Sequence, residues 1–103
     1  MIDVNENELE QETSKGGVVL EVWAEWCAPC RPVSAVLGIL EKEYPSIKFI
    51  KINVNNNPKV SEMYRIYTLP IVLGFKNGEL IAQIIGVKSK NKFKEMMELL
   101  MQN

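Results

Sequence analysis

The sequence predicts an α/β fold, a central mixed β-sheet flanked by helices on both faces, in one domain over residues 1–103. Three observations predict it. Short, nearly all-apolar runs alternate with segments of helical apolar spacing, the pattern of strands covered on both sides by helices. The segments between the first runs are long enough for helical crossovers, which place strands parallel. Asn77-Gly78 between two later runs is a strong tight-turn signal, which makes that pair antiparallel and the sheet mixed.

The opening, residues 3–15, is polar and acidic, with Glu6, Glu8, Glu10 and Glu12. Asn5 is positioned to cap a short helix there, and glutamates suit its positive end, although Leu9 is the only apolar residue mid-segment. Gly16-Gly17 ends it. Val18–Trp23 reads as a central strand, interrupted only by Glu21. Pro29 suits the first position of the next helix, where a missing N–H costs little. Val33, Val36, Leu37, Leu40 and Tyr44 then repeat at helical spacing until Pro45. Ile47–Val54 is the second strand. Asn57-Pro58 reads as a cap and first residue of a helix with Val60, Met63, Tyr64 and Tyr67 on one side; the two tyrosines are expected in the core. Pro70–Phe75 is the third strand, with Gly74 marking a bulge or close packing. Leu80–Ile85 returns after the turn, Gly86 ends it, and Phe93, Met96, Met97 and Leu100 give a last amphipathic helix.

Composition narrows the function. Apolar residues make up 47% of the chain, so a packed core needs no covalent staple. Twelve basic against thirteen acidic residues leave a net charge of −1, which gives no reason to expect nucleic acid or an anionic membrane as partner. Histidine is absent, which removes Ser/His and Cys/His catalysis and every imidazole-bound zinc site. The start, Met1-Ile2-Asp3-Val4-Asn5-Glu6, has no basic stretch followed by an apolar one, and no apolar run is long enough to span a bilayer. The expectation is a cytoplasmic protein that does not bind membranes. In a reducing compartment a lone pair of cysteines three apart points to catalysis, redox sensing or metal binding rather than a staple.

The pair lies in Trp23-Ala24-Glu25-Trp26-Cys27-Ala28-Pro29-Cys30, between a buried strand and a helix. With Lys51 late in the second strand, Thr68-Leu69-Pro70, Phe75-Lys76-Asn77-Gly78 and Gly86, this resembles the thioredoxin family along most of the chain. The resemblance implies the thioredoxin fold and a protein-disulfide reductase: a redox-active Cys27–Cys30 disulfide, electron transport in redox homeostasis, no bound cofactor or metal, and a monomer. Its partners would be a thioredoxin reductase or equivalent electron donor and disulfide-containing proteins.

Physical chemistry fits those roles. Three residues apart on a first helical turn, two side chains are neighbours within reach of a disulfide. At a helix start, free N–H groups and the helix dipole favour a thiolate, so Cys27 is expected to be the accessible nucleophile and Cys30, one turn inside and shielded, the resolving thiol. The family usually has a buried aspartate where this chain has Glu21, which implies a proton-transfer role for Glu21. A carboxylate about 6 Å from a thiolate would interact by roughly 2–3 kcal/mol at an effective dielectric of about 20, enough to couple their titrations. Lys51 is the cation that the family places near that carboxylate, where it would pair with Glu21. Pro70 is the family's cis-proline beside the disulfide. Trp26, Ala28, Pro29, Leu69, Pro70, Gly86 and Val87 would form a flat apolar surface for an extended substrate peptide, with the Leu69 backbone free to pair. Trp26 is expected as an exposed lip and Trp23 as packing.

The chain departs from the commonest family pattern at three places. Ala28 stands where glycine is usual, Glu21 replaces aspartate, and Ala35 replaces a helix-kinking proline, with Pro32 nearer the first turn. Other readings stay open on the residues alone. Cys27 and Cys30 are also half of a zinc site, or a pair sharing a metal or iron–sulfur cluster across a dimer. An oxidase, an isomerase and a non-catalytic binding module with the same apolar surface are the remaining alternatives.

Overall fold

A computed structural model describes residues 1–102; Asn103, the last residue of the predicted domain, lies outside the described residues. The elements are β1 (Ile2–Asp3), α1 (Leu9–Glu12), β2 (Gly17–Trp23), α2 (Cys30–Glu43), β3 (Lys48–Asn53), α3 (Lys59–Tyr64), β4 (Ile71–Lys76), β5 (Glu79–Ile85) and α4 (Lys90–Met101). They form one mixed sheet in the order β1-β3-β2-β4-β5. The β2 strand runs parallel to β3 and antiparallel to β4, and the β4–β5 hairpin is antiparallel.

The central strands are apolar on both faces because both faces are covered. Val19, Phe49 and Val72 pack with Val33, Leu37 and Leu40 of α2 and with Phe93, Met96, Met97 and Leu100 of α4. Val18, Leu20, Val22, Ile50, Ile52 and Leu73 pack on the other side with Leu9 of α1, Val60 of α3 and Ile66. The predicted hairpin forms: Asn77 and Gly78 both adopt positive φ, 50° and 86°, as a tight turn between twisted strands requires. Gly74 meets both expectations made of it. The ladder slips between Gly74 and Phe75, and a Cβ at Gly74 would lie 3.2 Å from Met96 Sδ.

Several expectations are corrected. The first strand, β1, precedes the expected helix and is an element the sequence did not suggest. It is two residues long and exists through parallel pairing of Ile2 with Ile50 and Asp3 with Lys51. Asn5 does not cap α1; its Oδ1 accepts from the N–H groups of Asn7 and Glu8 in a local turn, and α1 starts at Leu9. Helix α2 begins at Cys30, with Pro29 as the residue before it. Asn57 does not cap α3 either. Its Oδ1 accepts from Glu6 N–H and its amide donates to the Asn53 carbonyl, while the Glu6 carboxylate accepts from Lys59 N–H at the start of α3. Met63 and Tyr67 are exposed, Tyr67 at 88%. For Tyr67 the cause is Arg65, whose left-handed backbone ends α3 and breaks the helical phase, so Ile66 enters the core instead.

Candidate active site

The end of β2 and the start of α2 place the cysteines. Between them the chain turns through Ala24–Pro29, with Cys27 N–H donating to the Ala24 carbonyl and Cys30 N–H to the Cys27 carbonyl, both at 3.1 Å. Cys27 and Cys30 form a disulfide with Cα atoms 5.4 Å apart. Pro32 sits in the first turn of α2, where a missing N–H leaves no helical bond unmade. In the disulfide form the two cysteines are equally shielded, 4% and 3% exposed, so the expected contrast between an open and a covered sulfur is not a feature of this state. Once bonded, both sulfurs pack with Ala24, Trp23, Val54 and Leu69.

Glu21 is fully buried in β2, with neither carboxylate oxygen on the surface. Its Oε2 accepts a 2.5 Å hydrogen bond from Ser34 Oγ on α2, and its Oε1 has no hydrogen-bond partner among the described residues. Burial pushes the Glu21 carboxyl above the ordinary glutamate range, since the charged form loses water. The Ser34 bond and the field of Lys51 pull it back, and Asp3 opposes them.

Lys51 lies opposite Glu21 in the β2–β3 register but does not form the expected direct pair. Its ammonium is 3.8 Å from Asp3 Oδ2 and 5.4 Å from the centre of the Trp23 ring. The physical reason is β1: it brings Asp3 beside Lys51 at the sheet edge, and the flexible lysine reaches that more solvated carboxylate instead of entering the core. Asp3 Oδ1 also accepts from Trp23 Nε1 at 3.3 Å, so Trp23 is half-buried packing with one polar tie.

Of the expected docking residues, Leu69 packs against the cysteines, and Ala28 and Pro29 lie between them in the chain. Trp26 is 68% exposed, its Nε1 bonded to Asn55 Oδ1, and Ala28, Pro29 and Val87 are exposed. Leu69 is half-buried against the cysteine cluster, and its backbone makes no hydrogen bond among the described residues. The Leu69–Pro70 peptide bond is cis, but Pro70 itself is buried rather than part of the exposed surface. Half-buried Gly86 donates its N–H to the Pro70 carbonyl at 2.9 Å and ties the end of β5 to the cis-proline. Between Trp26 and Leu69 a groove of about 160 Å³ opens. Sequence reasoning missed Ser34; its signal was its place four residues after Cys30, on the same helical face.

A mixed sheet carrying a Cys-x-x-Cys disulfide at a helix start, with a buried carboxylate in the strand that leads to it, defines a thiol–disulfide oxidoreductase. The Thioredoxin family model matches residues 1–99, and the chain belongs to the thioredoxin family. It is 34% identical over 96 residues to thioredoxin of Listeria monocytogenes, covering 92% of this chain and 93% of that one. To Bacillus subtilis thioredoxin it is 31% identical over 98 residues, covering 94% of each. Buchnera aphidicola thioredoxin is 38% identical over 87 residues, covering 84% of this chain and 80% of that one. The fold matches, with a TM-score of 0.85 and 24% identity, a chain solved in work on thiol resolution in yeast mitochondrial 1-Cys peroxiredoxin via the glutathione and thioredoxin systems; the match covers 95% and 94% of the two chains. The family implies a reductase partner and disulfide substrates in general. Among the described residues no helix is long and apolar enough to cross a membrane.

Proposed function

We propose that the chain reduces protein disulfides as a cytoplasmic monomer, with Cys27 attacking and Cys30 resolving. The Cys27–Cys30 disulfide at the head of α2 carries this reading, because the site is complete within one chain. After reduction, Cys27 lies where the unpaired N–H groups and dipole of α2 favour an anion. Its thiolate attacks one substrate sulfur, forming a mixed disulfide and expelling the other sulfur as a thiolate. Cys30 then gives up its proton, bonds to the Cys27 sulfur and displaces the remaining substrate sulfur with its electron pair. Glu21 is the acceptor for that proton: it is buried and bonded to Ser34, which lines the cysteine cleft, and its raised proton affinity suits the role. Lys51 acts on Glu21 through its field rather than by contact. Leu69, with its free backbone beside the disulfide, pairs with an extended substrate strand above buried Pro70. Trp26, Ala28, Pro29, Gly86 and Val87 complete that surface. A thioredoxin reductase or equivalent donor returns two electrons to the disulfide.

The test is trapping together with turnover. Cys30→Ser is expected to hold a mixed disulfide with insulin through Cys27, and the wild-type protein to precipitate insulin rapidly with dithiothreitol. Capture through Cys30 in Cys27→Ser, with none in Cys30→Ser, would reverse the roles. No insulin reduction by the wild type would leave a binding module.

A further inference from the structure

We propose that Ser34 is a positioning residue of the reaction, its hydroxyl holding Glu21 and linking that buried carboxylate to the cleft that contains both cysteines. This rests on the reading of Glu21 as proton acceptor. Glu21 has no exposed surface, so a proton arriving from Cys30 needs a polar route through the wall between β2 and α2. Ser34 supplies the one hydrogen bond that the Glu21 carboxylate makes among the described residues. It also lines, with Cys27, Cys30 and Arg31, an open cleft of about 420 Å³. Its position four residues after Cys30 puts it one helical turn below the resolving sulfur. One side chain therefore touches the buried carboxylate and borders the space in which the thiols react.

The charged groups acting on Glu21 from other elements are Lys51 on β3 and Asp3 on β1, and its β4 neighbour Val72 is apolar. Neither charged group is on α2; Ser34 is the α2 side chain that hydrogen-bonds Glu21 among the described residues. In the resolving step the Cys30 thiol proton passes to the Glu21 carboxylate, which the Ser34 hydroxyl holds through Oε2. The Cys30 sulfur bonds to Cys27, and the substrate sulfur leaves with the electron pair of the broken bond. The proton rests on Glu21 until the leaving thiolate or solvent takes it up.

The experiment follows resolution directly. Reduced full-length protein is mixed with dithionitrobenzoate, and the second equivalent of thionitrobenzoate, released when Cys30 resolves the Cys27 adduct, is timed by stopped flow across pH 5–9. Ser34→Ala is expected to move the midpoint of that phase upward by about one pH unit, because losing a bond to the carboxylate raises its proton affinity. At pH 7 resolution should slow about tenfold, while the first phase stays within about twofold. Glu21→Gln should abolish the midpoint, and adding Ser34→Ala to it should change nothing more. A wild-type midpoint in folded Ser34→Ala beside an abolished one in Glu21→Gln would overturn the role of Ser34 and leave that of Glu21 standing. A wild-type midpoint in Glu21→Gln would end both. If Ser34→Ala fails to fold, Ser34→Val, which also lacks the hydroxyl but keeps more of the side-chain volume, carries the same measurement.

Discussion

Glu21 is the residue at which function opposes stability. A carboxyl in a fully apolar strand is tolerated as the neutral acid and costs stability as the anion. Its ordinary value is 4.5, and in the fold burial raises it, against the opposing pull of Ser34 and Lys51. Below the unfolded value both states hold the proton, and the fold has its full benefit. As pH rises through the folded value that benefit is lost, because the unfolded chain has already released its proton into water. Glu21→Gln removes the titration. Its urea midpoint should therefore gain on the wild type as pH rises from 5 to 8, by the equivalent of a few degrees in melting temperature. A gap independent of pH would show that the buried charge is not what the wild type carries. This residue was legible in the sequence because a glutamate breaks an otherwise apolar run. The fate of Lys51 was not, since its partner Asp3 arrives through β1, a strand with no pattern of its own.

At the scale of elements, legibility followed how much of each element's stability is local. The long strands β2–β4 and helices α2 and α4 bury wide apolar faces, and their patterning is written in the chain, while β5, mostly exposed, is announced by the Asn77-Gly78 turn. The short elements are made by tertiary contact. The two residues of β1 pair with β3 as a strand, and α3 receives its N-terminal acceptor from Glu6, 53 residues away. Tyr67 was misplaced because one left-handed residue, Arg65, resets the phase of everything after it. Helix α4 is the contrast: Ser89 caps it, its side chain accepting from Lys92 N–H at 3.3 Å. Ser89→Ala should cost about 1 kcal/mol in urea unfolding. It should leave insulin reduction unchanged, since α4 seals the core and touches no cysteine. A loss of activity without loss of stability would mean that α4 reaches the site by a route the packing does not show.

For the whole molecule, the disulfide and the fold are linked by a thermodynamic cycle. The unfolded chain must close a loop of a few residues to join Cys27 and Cys30, and this costs about 2 kcal/mol of chain entropy. The fold has already set the two Cα atoms 5.4 Å apart, within disulfide range, so it forms the bond without that cost. The oxidised protein should then resist unfolding by about 2 kcal/mol more than the reduced one, roughly 10 °C in melting temperature. The same difference must appear in the redox equilibrium: the folded pair should be about 40 mV more reducing than the same cysteines in an unfolded chain. Urea unfolding of both redox forms at pH 7, with equilibration against glutathione for the native and urea-denatured protein, measures the two sides of the cycle. A reduced form that is the more stable of the two would place the stabilisation on the thiolate instead. The fold would then drive oxidation of its partners, and the reductase direction proposed for Cys27 and Cys30 would be wrong even with their order of attack intact.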